Sequence, residues 1–268
     1  MKKNGLLWIA AIVFTLSSAF YQRLTGPTHP VTGTTVLAEQ PVSFHLIRSF
    51  AGGTDAPVSI EVADPQVNGM MRYRRTPSND SWGQAPLVRE GEHLVAYIPQ
   101  QPPAGKVQYQ ISLQKDNQQV TLTPEPIVIR FRGDVPAWAM IPHILFMFLA
   151  MLLSTRTGMA ALFHEKTSSL TTLTLVSLLL GGLLLGPIVQ KFAFDAYWTG
   201  WPFGTDLTDN KTAAAFLFWA IAFIKTRKNP HHRGWVIAAS IVLLMVYLIP
   251  HSMMGSEIDY TQQASTLP

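Results

Sequence analysis

Two runs of the chain, Val135–Leu153 and Leu170–Val189, contain no Asp, Glu, Lys or Arg. An α-helix needs roughly 20 mostly apolar residues to cross the ~30 Å hydrocarbon core of a bilayer. Within lipid the backbone must satisfy its own hydrogen bonds, so such runs form helices. Three further runs complete the expected set of five. Gly234–Met253 reaches span length with Pro250 and His251 at its outer end. Asn210–Ile224 is short, but Lys211 and Lys225 can snorkel to the two interfaces. Leu6–Phe20 is shorter still. Composition agrees, since 13% of the 268 residues are charged against about 25% in soluble domains.

Lys and Arg in short loops orient the spans. Lys2 and Lys3 precede the first run, Arg156 and Lys166 separate the second from the third, and Lys225, Arg227, Lys228 and Arg233 separate the fourth from the fifth. Alternate threading puts these segments on one side, the cytoplasm of a bacterial inner membrane. The other side receives residues 31–134, the loop 190–211 and a C-terminal tail, 256–268. The basic balance is therefore topological, and a nucleic-acid partner is not expected.

Residues 1–24 join a basic start to an apolar core, with a small-residue pattern at Ser17 and Ala19. Phe20, Tyr21 and Arg23 continue the pattern to an outer interface, so a retained signal-anchor is preferred over a cleaved signal. Cysteine is absent, which excludes a disulfide framework and thiolate ligation.

From Val31 to Arg132 the pattern has period two. Val42-Phe44-Leu46, Val58-Ile60-Val62, Met71-Tyr73, Leu94–Ile98, Val107-Tyr109-Ile111-Leu113, Val120-Leu122 and Ile127–Phe131 alternate between turn signals such as Gly52-Gly53, Asp64-Pro65 and Asp116-Asn117. About seven short strands without helix imply a β-sandwich. This spacing, with a tyrosine-bearing strand after Pro102-Pro103-Ala104-Gly105, resembles a fibronectin type III or immunoglobulin-like module. The resemblance covers this part of the chain alone, lacks the Cys–Trp–Cys hallmark, and assigns no chemistry. Arg72, Arg74 and Arg75 read as a solvated strand face and Trp82 as a ring packed on its edge, with a basic contact face as the alternative. The expected class is thus membrane α + β: anchor, exported sandwich 31–134, and a four-helix membrane domain 135–255.

The segment between Gly186 and Lys211 is richer than a linker requires. It carries Asp195, Asp206 and Asp209 together with Tyr197, Trp198, Trp201 and Phe203. The rings fit a membrane-interface belt, and Asp206, Thr208 or Asp209 can cap the next helix. Ile-Pro-His occurs at Ile141–His143 and Ile249–His251, which places both histidines in the outer half of the bilayer, where ionisable groups are functional candidates. Met140, His143 and Met147 share one helical stripe, and Met253 and Met254 follow His251. Imidazole with thioether suits copper, so His143, Met147 and His251 are metal candidates. Two outer histidines also suit haem b, and aromatics with a carboxylate suit a quinol. A chain without cofactor is the preferred reading. If the helices bundle, His143, Asp195, Asp206, Asp209, His251, Glu257 and Asp259 can converge, with Trp198 and Trp201 as contact residues.

No Walker loop, GxGxxG after a strand, GxSxG elbow or HExxH is present. The expectation is a non-enzymatic scaffold or accessory subunit, whose partners are the lipid bilayer and a membrane or periplasmic protein. The alternative is a redox or metal, haem or quinol-binding subunit.

Overall fold

The computed structural model describes residues 2–250, Gly255 and 257–262, with backbone alone at Lys2 and Lys3. It divides into a strand unit, Thr28–Asp134 with Glu257–Pro268, and a helical unit, Met1–Pro27 with Val135–Ser256.

The strand unit opens with a hairpin, β1 (Val31–Leu37) and β2 (Gln40–Leu46). Its two turn residues, Ala38 and Glu39, both have positive φ (49° and 63°), as a tight hairpin requires. Neither is Gly or Asn, so the usual turn signal is missing and β1 is not legible as a separate strand. A six-stranded sheet follows in the order β3 (Ser49–Ala51), β11 (Ile127–Arg132), β9 (Lys106–Lys115), β5 (Asn68–Arg75), β6 (Gly83–Pro86), with β10 (Gln118–Thr121) also paired to β9. A second sheet has the order β4 (Ala56–Glu61), β8 (His93–Ile98), β7 (Val88–Glu90). Alternation decides which side chains go inward. Met71, Tyr109, Ile111 and Ile129 of the first sheet share one core with Ile60, Leu94 and Ile98 of the second. The fully buried phenol of Tyr109 donates to Ile47 O at 2.8 Å, which meets the rule that buried polar groups find partners.

Arg75 departs from the solvated-face expectation. Its Nε lies 2.7 Å from Asp80 Oδ2 and both side chains are buried. The C-terminal segment closes over this pair, with the Tyr260 ring 4.6 Å from the guanidinium and the Tyr260 amide donating to Pro77 O at 3.0 Å.

The helical unit contains α1 (Lys2–Thr25), α2 (Ala137–Leu162), α3 (Ser168–Leu178), a π-helical segment (Leu179–Leu185), α4 (Gly186–Phe194), α5 (Leu207–Lys228) and α6 (Arg233–Leu248). Among the described residues three helices are long and apolar enough to cross a membrane: Asn4–Thr25, Ala137–Leu162 and Ser168–Phe194. The 22 residues of α5 begin and end on polar turns, and the 16 of α6 extend only about 24 Å. The first helix continues without a break past Ser17 and Ala19. Leu7, Ala11, Thr15 and Ser18 form its buried stripe, and Gln22 Nε2 donates to Tyr247 O at 3.0 Å. Small residues let the helices approach. A Cβ at Gly158 of α2 would sit 2.8 Å from Ser240 Cβ of α6, the close packing by which helices associate where no hydrophobic drive separates lipid from protein. Trp219, fully buried, fills the centre among Ala150, Leu178, Ala222 and Leu243.

Candidate functional site

The site begins with a fault in a helix. Pro187 has no N–H to give Leu183, and in a regular α-helix its ring would strike that carbonyl. The chain widens instead into the π-helical segment ahead of it, a distortion that recurs at functional sites. Gly181 and Gly182 lie in this segment. A Cβ at Gly181 would come within 2.9 Å of Phe146 Cβ, and one at Gly182 within 2.8 Å of Thr212 Cγ2, so α2 and α5 both press on the backbone here. The Gly181 carbonyl accepts the Gly186 N–H, five residues on. It also accepts from His143 Nδ1 at 2.9 Å. A carbonyl oxygen only accepts, so Nδ1 carries a proton.

His143, Met147, Gln190, Asp206, Asp209 and Thr212 line a cavity of about 130 Å³ beside this distortion. At about 30 Å³ per water, it has room for a few waters or a very small ligand. Sites for drug-sized molecules begin near 300 Å³, so the cavity is small for a ligand site. For a metal, His143 and Met147 provide two ligands of the soft kind. Among the described residues no group of three or more His, Cys, Asp or Glu is placed to hold an ion.

The two cavity aspartates are committed to backbone. Asp206 caps α5, its Oδ1 accepting from the Thr208 amide at 2.7 Å and from that of Asp209 at 3.4 Å. Asp209 Oδ2 accepts from the amides of Thr199 at 2.6 Å and Gly200 at 3.0 Å, and from Gln190 Nε2 at 3.1 Å. Asn210 Oδ1 takes the Trp201 amide at 2.7 Å. The Thr199 carbonyl accepts the Asp206 amide at 3.0 Å. Loop 195–206 is thereby tied to the first turn of α5 along its length. The rings project from this frame, with Tyr197 61%, Trp201 78% and Phe203 82% exposed. Trp198 instead turns back, its Nε1 donating to Trp201 O at 3.1 Å.

Of the residues expected to converge, His143, Asp206 and Asp209 line one cavity. Asp195 does not join them. It ends α4 in the left-handed region (φ 60°), and its exposed carboxylate pairs with Lys191 at 2.7 Å. Glu257 and Asp259 belong to the strand unit, where Glu257 pairs with Lys106. His251 lies outside the described residues, as do Met253 and Met254. Lys211, expected to snorkel, is held by the protein. It is 6% exposed, and its Nζ donates to Ile249 O at 2.6 Å, placing a cation where the carbonyls at the end of α6 need donors. Gln190 and Thr199 were not singled out by sequence, since neither residue type marks a site by itself. Gly-Gly followed by Gly-Pro inside one span is the signal that could have pointed to the distortion.

A scan against protein-family models and a search of curated proteins return no match for this chain.

Proposed function

We propose that the chain is a non-enzymatic scaffold or accessory subunit of the bacterial inner membrane, docking a membrane or periplasmic protein through loop 195–206. In this reading five helices span the bilayer, the first retained as an anchor. The strand unit is an exported β-sandwich of the immunoglobulin or fibronectin type III kind. The distribution of Lys and Arg supports the sidedness, and the buried stripe of α1 supports its retention.

One observation carries the reading: the carboxylates of Asp206 and Asp209 hold backbone amides at the start of α5 and in a loop whose rings face outward. Asp209 Oδ2 alone accepts from two loop amides. Rigid aromatic side chains presented at low entropic cost are what binding hot spots favour. A photoreactive phenylalanine analogue at Trp201 or Phe203 in the intact membrane tests this. The expected result is a discrete protein adduct, lost when Asp209→Ala frees the loop. Adducts with lipid alone would reduce the loop to an interface belt and refute the docking role. Sidedness is tested separately by reporter fusions after Arg227, which should be active only as cytoplasmic reporters.

The alternative, a metal-binding subunit, has in its favour that His143 and Met147 line the same cavity. Copper bound by the purified protein and lost in Met147→Leu would favour it.

A further inference from the structure

The six-stranded sheet is electrostatically one-sided. None of its described strands contains Asp or Glu, whereas β5, β9 and β11 all carry Lys or Arg. Three of these cations have carboxylate partners supplied from outside the sheet: Arg75 with Asp80, Lys106 with Glu257 and Lys115 with Asp64. Arg72 and Arg74 have none among the described residues. Both belong to the face of β5 opposite the core residues Met71 and Tyr73.

These two guanidinium groups are nevertheless held. Arg72 lies opposite Gln110 and Arg74 opposite Gln108 in the β5–β9 register. Gln110 Oε1 accepts from Arg72 Nε at 2.9 Å and Nη2 at 2.5 Å. Gln110 is itself fixed, its Nε2 donating to Thr123 O at 2.7 Å. With its amide oxygen turned to Arg74, Gln108 accepts from Nε and from Nη2, the latter at 2.8 Å. The Trp82 ring lies 4.7 Å from each guanidinium carbon. Each side chain is thus gripped along one edge by a neutral amide, and its Nη1 edge is left for an incoming group. A carboxylate in place of each glutamine would have neutralised the pair. Next to it runs an open groove of about 410 Å³, lined by Met70, Arg72, Gln84, Gln110, Ser112, Gln119 and Thr121. That volume lies within the range of ligand sites.

We propose that this face binds an acidic oligosaccharide of the uronate class. The two guanidinium groups meet carboxylates, and the amides and hydroxyls of the groove meet sugar hydroxyls as both donors and acceptors. Charge complementarity selects an anion. The lining separates a saccharide from a protein partner, because Met70 is its one apolar side chain, too little for the buried aromatic or aliphatic anchor that protein hot spots require.

The test uses the full-length chain in phosphatidylcholine nanodiscs, with an oligogalacturonate as probe and calorimetry as readout. The expected result is saturable binding that weakens as salt is raised. Methyl esterification of the probe should abolish it, and Arg72→Gln with Arg74→Gln should weaken it about tenfold or more with the melting temperature unchanged. Arg132→Gln should leave it as it was. Absence of binding, equal binding of the methyl ester, or equal losses from the Arg132 and the double variants would overturn the proposal. A poly-glutamate peptide that binds as tightly as the oligogalacturonate would overturn the saccharide assignment in favour of an acidic protein.

Discussion

His143 Nδ1 donates to the carbonyl of Gly181 at 2.9 Å, and that carbonyl simultaneously accepts the Gly186 N–H of the widened turn. One atom therefore joins α2 to the distortion that Pro187 imposes. The contact depends on Gly181 having no side chain, because a Cβ would meet Met147 N at 3.1 Å as well as Phe146. Gly181→Ala should cost about 1–3 kcal/mol by overpacking, and His143→Ala about 1–3 kcal/mol through the lost bond and the space it leaves. Thermal unfolding in detergent checks both. A stable Gly181→Ala protein would show that α2 does not approach the π-helical segment this closely.

Asp209 should be the most sensitive residue of the aromatic loop. Its Oδ2 accepts from Thr199, Gly200 and Gln190, and hydrogen bonds to a charged group contribute about 1.5–3 kcal/mol each. Asp209→Ala should make loop 195–206 cleavable by added protease, whereas Asp209→Asn, which keeps one acceptor, should be less affected. Asp195→Ala should do neither, since its partner is the exposed Lys191. Cleavage that is equal in the Asp195 and Asp209 variants would refute this assignment.

The buried pair Arg75–Asp80 makes a second stability prediction. Removing one member strands the other, so Asp80→Ala should cost about 3–5 kcal/mol. Replacing both, as Arg75→Met with Asp80→Leu, should recover most of the loss, because two desolvated charges are then replaced by apolar contact. The measurement is a double-mutant cycle on the β-sheet melting transition. A double variant as weak as the sum of the singles would mean that the two charges act independently.

The strand unit should lose stability at both ends of the pH scale. Lys115, bonded to its carboxylate at 2.5 Å, holds Asp64 below the ordinary carboxylate value, and bonding from Thr261 does the same for Asp259. Groups lowered in the folded state contribute above the unfolded pKa of about 4 and lose that contribution as pH falls below it. Burial pushes the phenols of Tyr109 and Tyr260 above their ordinary value. The folded chain then keeps protons that the unfolded chain releases, so stability drops as pH rises past about 10. Circular dichroism melts should show a plateau between these limits. A melting temperature that keeps rising to pH 11 would contradict the alkaline limb, and one unchanged at pH 3 the acid limb.

The long apolar helices were legible because charge-free runs such as Leu170–Val189 have few physical options in water, and this run lies within the apolar helix Ser168–Phe194. The period-two strands were legible for a related reason: Val107, Tyr109, Ile111 and Leu113 alternate only if one face of β9 is buried, and all four are buried. Where the local signal was missing, the reading stopped. The Ala38-Glu39 hairpin uses left-handed backbone at residues that do not advertise it, so β1 merged into its surroundings.

Side-chain partners were decided by tertiary structure alone. Lys211 and Arg75 look in sequence like solvated cations. One donates instead to the end of α6 and the other to a buried aspartate, because the carbonyls and carboxylate that receive them come from other elements. The same holds for the candidate cluster. Asp206 and Asp209 line one cavity with His143, while Glu257 pairs with Lys106 in the strand unit. Periodicity records which face of an element avoids water, a local property of one segment. Which polar group answers which depends on distances between segments far apart in the chain, and these exist only once the helices and sheets have packed.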